Sequence, residues 1–479
     1  MGGRKMKKRK LGIIGFALFM AVALAGCGKK SDTEVAQENS DVKCYSELTD
    51  IKRLQNVPMM AVANGKTEVL GDTGGGCEVI TVNGSELSEY WDYLNVLKEC
   101  GYDKYVDNGE DGLNGDIYSA TFTRDKQVLT VMHMVKTNLT YIVAEEGVAL
   151  SDHLIYKDEY ASDAIPGAKT TLHMVELSDY GNSFVIQLKN GHFIMNDGGR
   201  AQDLEPLVAY LEELAPAGEK PIIEAWVVSH PHGDHAGLFT EFEKNWTYAE
   251  RIYVEGIYTN VLNSEVASAQ SVTGIQLAVQ TASQRLKTTS GEHPSVYRPH
   301  AGQIYYFSDI TIDVMQTLIQ CPQKDWYRWT GNVNEFSTWL MYNIEGQKLL
   351  IAGDGDFGSM RAVMRTFDQE YLEMDIMAVQ HHGINVHNDF SDFIKVKTLL
   401  YPNFGIYGTF EEGQSWSGSW QASVIRNEYL HEYVEESLSY IDGTVVLTFP
   451  YVVGTAKSLG SQRTDRADVS KDTTRIQYY

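Results

Sequence analysis

Apolar positions along this chain recur with two periods, and the switches between them predict its elements. Period-two alternation at 66–70 and 77–82 reads as two strands. A helical period follows over 85–100, carried by Leu87, Tyr90, Trp91, Tyr93, Leu94 and Leu97. Ser85 is placed to cap its start and Gly101 its end. Alternation returns at 117–123, 127–134 and 139–145, giving a small β-β-α-β-β-β unit. The tyrosine and tryptophan stripe of the helix reads as core, and the unit shows no catalytic constellation. Gly74–Gly76 forms no phosphate loop, because no Lys-Ser/Thr follows. The pattern breaks at 162–167. Strands are then predicted at 170–177, 183–188 and 192–196, a helix at 204–214, and a buried strand at 221–228. Farther on come a long helical insertion at 257–290 and strands at 303–307, 339–344, 349–352 and 375–379.

The N-terminus has a different character. Six basic residues between Arg4 and Lys10 precede an apolar run from 11 to 25, shorter than the roughly 20 residues a spanning helix needs. It ends in Leu24-Ala25-Gly26-Cys27. This resembles the bacterial lipobox and implies a lipoprotein signal peptide at 1–26. Cys27 would carry the lipid (palmitate among its acyl chains), anchoring the chain at the extracytoplasmic face of the cell membrane. Polar residues 27–41 read as a flexible tether. The roughly 435 residues that remain exceed one typical domain. They divide into a small α+β domain at 42–162, a larger domain at 168–454, and a polar tail at 455–479 expected to be disordered.

The formal charge is −24, and about −30 once the leader's six cations are removed. A field of that sign favours solubility and gives no support to a broad grip on nucleic acid. Cys44, Cys77, Cys100 and Cys321 lack C-x-x-C spacing, which argues against a zinc ribbon. Disulfides and buried thiols both remain open.

Candidate chemistry concentrates in Val-Ser-His-Pro-His-Gly-Asp-His-Ala-Gly (228–237), directly after the buried strand. His230, His232, Asp234 and His235 form H-x-H-x-D-H, four potential metal ligands in six residues. Imidazole and carboxylate suit catalytic zinc, and manganese or iron accept the same N/O donors. A surface loop merely rich in histidine is the bland alternative. Two later strand ends carry similar groups, Gly353-Asp354-Gly355 and Gln380-His381-His382-Gly383.

A strand ending in Asp197-Gly-Gly, a helix, and a strand ending in H-x-H-x-D-H resemble the metallo-β-lactamase superfamily. The resemblance covers roughly 170–450 and implies an α/β four-layer αββα sandwich with a metal site at one edge. It implies that Asp197 buttresses the histidine loop, although an Asp there also caps turns. It further implies that His230 and His232 hold one divalent ion, that Asp234, His235 and His382 hold a second, and that Asp354 bridges them. His381 and His382 compete for one role. His382, directly before Gly383, is the favoured ligand, which leaves His381 as a proton donor toward substrate. The family's third histidine for the first ion is missing. Asn334 and Ser337 stand in the matching segment, and His293 and His300 lie in an unsuitable place. The N-x-x-S, G-D and H-H-G pattern is similar to the hydrolase domain of DNA-uptake competence channel proteins, and more loosely to surface phosphorylcholine esterases.

Two such ions make hydroxide from water at neutral pH. The resulting expectation is a membrane-tethered metal-dependent hydrolase in which Asp234 and His381 take part in catalysis. Its substrate would be a small-molecule or polymer phosphodiester. A phosphorylcholine-type esterase and a binding lipoprotein that keeps metal without turnover are the alternatives. Insertion 257–290 is a candidate lid. Trp326, Tyr327, Trp329, Trp416 and Trp420 are candidate stacking residues. Arg328 and Arg361 are candidate phosphate contacts, but surface arginines are common.

Overall fold

The structure is a computed structural model. It describes residues 42–49, 52–72, 76–155, 164–262, 264–320, 332–383, 388–402 and 433–464. The leader, Cys27, the tether, Cys321, the five candidate stacking residues and Arg328 lie outside these residues.

The first sheet holds β1 (Lys66–Asp72), β2 (Cys77–Asn83), β3 (Asp103–Asp107), β4 (Ile117–Arg124), β5 (Gln127–Met134) and β6 (Leu139–Glu146). It is antiparallel throughout, in the order β1-β2-β6-β5-β4-β3. β3 escaped sequence analysis because its residues, Asp-Lys-Tyr-Val-Asp, are half polar and it lies at an edge, where only one neighbour imposes a pattern. Helix α1 (Leu87–Glu99) covers one face, and its N-cap is Glu86 rather than Ser85. Glu86 and Glu89 form a reciprocal capping box. The Ser85 hydroxyl is instead buried against Thr140 and the Val82 carbonyl. Gly101 does close the helix, at φ +81°, with its N–H on the Lys98 carbonyl.

The larger part is a sandwich. Its first sheet contains β7 (Thr171–Met174), β8 (Ser183–Gln187), β9 (Phe193–Asp197), β10 (Ile222–Val228), β11 (Tyr253–Val254), β12 (Gly256–Thr259) and β13 (Ser295–Tyr297). Its second contains β14 (Ile304–Phe307), β15 (Ile310–Gln316), β16 (Trp339–Ile344), β17 (Gln347–Ile351), β18 (Glu373–Ala378), β19 (Lys395–Tyr401) and β20 (Glu436–Ser439). β21 (Val445–Thr448) returns to pair with β7, and β22 (Lys457–Ser458) pairs with β21. The facing sheets enclose a core that includes Phe184, Ile194, Val227, Val314, Tyr342 and Ile351.

Helices α2 (Leu204–Leu214), α3 (Phe239–Lys244), α4 (Ser264–Ala269) and α5 (Thr273–Ser283) follow in chain order. α2, α3 and α5 cover the outside of the first sandwich sheet around Trp226. α6 (Phe357–Thr366) and α7 (Asn388–Phe393) cover the outside of the second. The result is the αββα sandwich expected. The small sheet packs its second face onto this same outer layer, where Val79, Met132 and Val143 join Met360, Val363 and Phe390 in one core.

Two expectations need correction. Segment 257–290 is not one long helix: it begins as β12, a parallel neighbour of β10, and its helical part is broken into α4 and α5. In the polar tail, the described residues 455–464 include positions that bond to the sandwich. Ser461 and the Gln462 N–H bond Glu176, and Arg463 pairs with buried Asp203 at 2.7 Å. Cys44 is disulfide-bonded, whereas Cys77 and Cys100 are thiols. No helix among the described residues is long and apolar enough to cross a membrane.

Candidate metal centre

Parallel strands deliver the centre. β9, β10 and β12 run parallel in one sheet, and β17, β18 and β19 in the other. Parallel strands buried on both faces need near-continuous apolar sequence, which leaves polar residues for the loops at their ends. Asp197 ends β9, the histidine loop follows β10, Asp354 follows β17, and His381-His382 follow β18. All four strand ends meet at one edge.

Asp197 is fully buried and adopts φ +59°, a left-handed conformation uncommon outside glycine. Its carboxylate accepts the Ser229 N–H and hydroxyl, both at 2.8 Å, and His235 Nδ1 at 2.8 Å. The backbone carbonyl of Asp197 takes the Trp226 indole N–H at 3.1 Å. One carboxylate thus fixes the start of the loop and the orientation of its last histidine. It touches neither His230 nor Asp354, in keeping with a buttress. A carboxylate on the far nitrogen of an imidazole sets the tautomer, so His235 Nε2 faces inward as an acceptor.

Inward lies Asp354. His235 Nε2 is 2.9 Å from its Oδ1, His382 Nε2 3.5 Å from the same oxygen, and His230 Nε2 3.8 Å from its Oδ2. Asp234 Oδ2 is 3.3 Å from His382 Nε2, and His230 Nε2 is 3.0 Å from His232 Nδ1. Donor atoms therefore fall into two groups that share Asp354: Asp234, His235, Asp354 and His382, and His230, His232 and Asp354. His381 stands outside both groups, with Nε2 3.8 Å from Asp354 and the Asn334 amide 3.3 Å away. Its side chain is 16 % exposed, against none for His382. Both residues have positive φ, which turns the chain back so that consecutive side chains enter the centre at different points.

The sequence offers no third histidine for the first group, and the structure shows what fills its place. The Ser337 hydroxyl lies 3.2 Å from His230 Nδ1 and accepts the Asp354 N–H at 3.2 Å. It links the two ligand-bearing loops. Gly353, at φ +53°, lets them approach, since a Cβ there would lie 2.7 Å from the Ser229 hydroxyl. Glu335, between Asn334 and Ser337, accepts the Gly358 and Ser359 N–H groups at the start of α6, at 2.9 and 2.7 Å. Burial pushes its carboxyl up to about 7.

The donors fit divalent cations. Burial by itself would raise Asp354, yet His235, His382 and His381 hold it well below the usual carboxylate range. Burial likewise opposes charge on His235, but Asp354 and Asp197 raise it. Burial lowers His230, His232 and His381. Burial thus favours neutral imidazole at His230 and His232, and the histidines favour an ionised Asp354, the protonation states that bind metal, whereas His235 gives up a proton when a cation takes its place. His235 Nε2 and Asp354 Oδ1 are buried and face each other, yet neither finds a hydrogen bond of good geometry. Stranded polar atoms are expensive to bury, and a cation between the groups would satisfy both.

His293 and His300 lie away from the centre. His293 Nδ1 donates to the Leu286 carbonyl, and His300 binds Glu145 of the small sheet. Arg361 is exposed and stacks on Phe357, 3.7 Å from the ring centre. Sequence analysis passed over Ser229, Glu335, Tyr180 and Arg200. Only the position of Ser229, between the strand and the first histidine, offered a signal.

Residues 178–305 match the Metallo-beta-lactamase superfamily. The chain carries a metallo-β-lactamase superfamily domain. Members of this superfamily are mostly metal-dependent hydrolases, which agrees with the donor set. Similar solved structures include a Cronobacter sakazakii metallo-β-lactamase with a HARLDQ motif. It is 14 % identical, covering 46 % of this chain and 78 % of that one, with a TM-score of 0.27. Zn2+-bound PqqB from Methylobacterium extorquens is 11 % identical, covering 48 % and 71 %, with a TM-score of 0.28. A Hirschia baltica metallo-β-lactamase is 13 % identical, covering 43 % and 82 %, with a TM-score of 0.24. No curated protein matches the sequence.

Proposed function

We propose that this protein is a metal-dependent phosphodiester hydrolase, tethered through a lipid on Cys27 at the extracytoplasmic face of the membrane. The observation that carries the hydrolase reading is Asp354, one buried carboxylate shared by two donor groups. His230 and His232 would hold one ion, and Asp234, His235 and His382 the other. Zinc suits these donors, and manganese and iron accept the same N/O set. Ions held there would activate water as a nucleophile and compensate negative charge that develops on the substrate.

The protein's own residues do the rest. Asp197 and Ser229 hold the histidine loop in place, and Ser337 ties it to the Asp354 loop. His381, at the margin of the centre beside the Asn334 amide, stands where a proton donor to a departing alkoxide would stand, and because burial favours its neutral form it would take up a proton before giving one. The first group supplies only three protein donors, which leaves room for substrate oxygens. That favours a phosphoryl group, with several oxygens to offer, over a lactam.

The test is metal analysis together with hydrolysis of bis-p-nitrophenyl phosphate by wild type and Asp234→Ala. Wild type is expected to bind close to two ions and turn over, and the variant to fall to background. Equal rates in the two proteins would overturn the proposal. Metal retention with no turnover in wild type would instead favour a binding lipoprotein.

A further inference from the structure

Beside the centre lies a cation that the mechanism does not use. Arg200 directly follows Asp197-Gly198-Gly199. Its backbone is fixed: the N–H donates to Asp203 Oδ2 at 2.8 Å, and Asp203 also accepts the Ser178 N–H and pairs with Arg463. The guanidinium carbon lies 4.5 Å from the centre of the Tyr180 ring, and Nε donates to the Tyr180 carbonyl at 3.3 Å. Tyr180 in turn stands edge-on to His382, ring centres 5.4 Å apart. The adjacent Gly181 packs on the Asp234 carbonyl, where a Cβ would come within 2.6 Å. The Arg200–Tyr180 pair therefore flanks the Asp234/His382 side of the centre.

Arg200 Nη2 is enclosed and has no acceptor, and among the described residues no carboxylate pairs with the guanidinium within 4.0 Å. The guanidinium is part-exposed on an aromatic platform, and Asp234 and Asp179 nearby favour its charge. An arginine so held is suited to a planar or tetrahedral oxyanion. We infer that Arg200, braced by Tyr180, is a substrate-anion subsite that binds a non-bridging oxygen of the phosphodiester. This rests on the phosphodiesterase reading for its substrate, but not for its chemistry, which is anion recognition.

The experiment uses zinc-loaded wild type, Arg200→Gln and Arg200→Lys. It compares bis-p-nitrophenyl phosphate, an anion, with p-nitrophenyl acetate, a neutral ester with the same leaving group. It also titrates inorganic phosphate by calorimetry. Losing a hydrogen bond to a charged group is expected to raise KM for the diester and Kd for phosphate about 10–100-fold in Arg200→Gln. Metal content and hydrolysis of the neutral ester should stay at wild-type levels. Arg200→Lys should recover part of the loss, since it restores charge but not the fork. An unchanged phosphate Kd, or equal losses on the two esters, would overturn the inference. Should wild type hydrolyse neither ester, the phosphodiesterase reading falls, while the phosphate titration still decides for or against Arg200. If Arg200→Gln does not fold, Arg200→Met, which keeps the apolar stem without the charge, carries the test, and a wild-type phosphate Kd in that variant refutes the subsite.

Discussion

Among the described residues, two buried clusters of histidine and carboxylate resolve the same electrostatic problem differently. At the junction of the small sheet with the sandwich, Glu145 on β6 meets His300 Nε2 at 2.9 Å and Arg298 Nη1 at 2.8 Å. The acid and the histidine are each about 2 % exposed. Here the acid has a permanent cation of its own beside the imidazole, so the cluster reads as a strut between the small sheet and the sandwich. At the sandwich edge, Asp234 and Asp354 form ion pairs only with histidines among the described residues. Most of these distances are 3.3 Å or more, too long for good hydrogen bonds. A buried acid that comes with its own arginine holds the fold together. Buried acids set among imidazoles form a donor set that could hold a cation.

The comparison breaks first at Asp354. Asp354→Ala removes the one group common to both donor sets. The expected outcome is loss of both ions by mass spectrometry and of diester hydrolysis to background, in a protein that still folds. Near-wild-type metal content in that variant would make the edge cluster a second strut. Chelation should likewise lower the melting temperature of wild type by removing a ligand of the native state. It should leave the melting temperature of Asp354→Ala unchanged.

At the strut the reverse is expected. Glu145→Ala strands Arg298 and His300, and breaking a buried pair costs about 3–5 kcal/mol, readable in denaturant melts. Metal content and activity of the folded fraction should not change. The pH dependence has a definite sign. Burial by itself would raise Glu145, but His300 and Arg298 outweigh it and hold the carboxyl below its ordinary value of 4.5. A depressed acid contributes stability that is complete above 4.5 and fades as pH falls through the lower folded value. Wild type should therefore lose stability with acidification more steeply than Glu145→Ala in that range. Parallel curves would mean that the strut is not charged as described.

Much of this contrast was legible in the chain. H-x-H-x-D-H and the strand-end Asp and His marked the edge cluster, because ligands for one ion must crowd into short loops after buried strands. The strands themselves showed through their apolar runs. The strut was not legible: Glu145 and His300 lie 155 residues apart, and neither sits in a local pattern. Nor was the break of segment 257–290 into a strand and two helices, since β12 gains its extended form from β10 beside it rather than from its own residues. Ser337 was seen as a departure from a family pattern, but its link between His230 and Asp354 needed coordinates.

That link sets the next prediction. Ser337→Ala deletes a hydroxyl that contacts one ligand ring and accepts the backbone N–H of another ligand. Partners of this type typically change metal affinity or activity about 10–100-fold. A titration with zinc should show the loss confined to one ion per protein, the one held by His230 and His232. An equal loss at both would mean that Ser337 acts through Asp354 instead.

Glu335 gives the smallest effect and a third answer to the same problem. Its carboxyl, about 4 % exposed, accepts two N–H groups at the start of α6. Where Glu145 has an arginine and Asp354 has room for an ion, Glu335 responds to burial by holding its proton, with its pKa raised from 4.5 to about 7. The sign is opposite to that of Glu145. A raised acid contributes stability that is complete below the unfolded value near 4.5 and is lost as pH rises through about 7. Glu335→Gln stays neutral at every pH but offers one oxygen in place of two. It should be the less stable protein at pH 5, by about 1 kcal/mol for the missing acceptor. The deficit should shrink or reverse by pH 8, where wild type must ionise a buried acid. Paired melts at the two pH values decide it: a deficit that grows with pH would show that Glu335 is already ionised at pH 5, stabilised by the α6 amides as a helix N-terminus stabilises an anion.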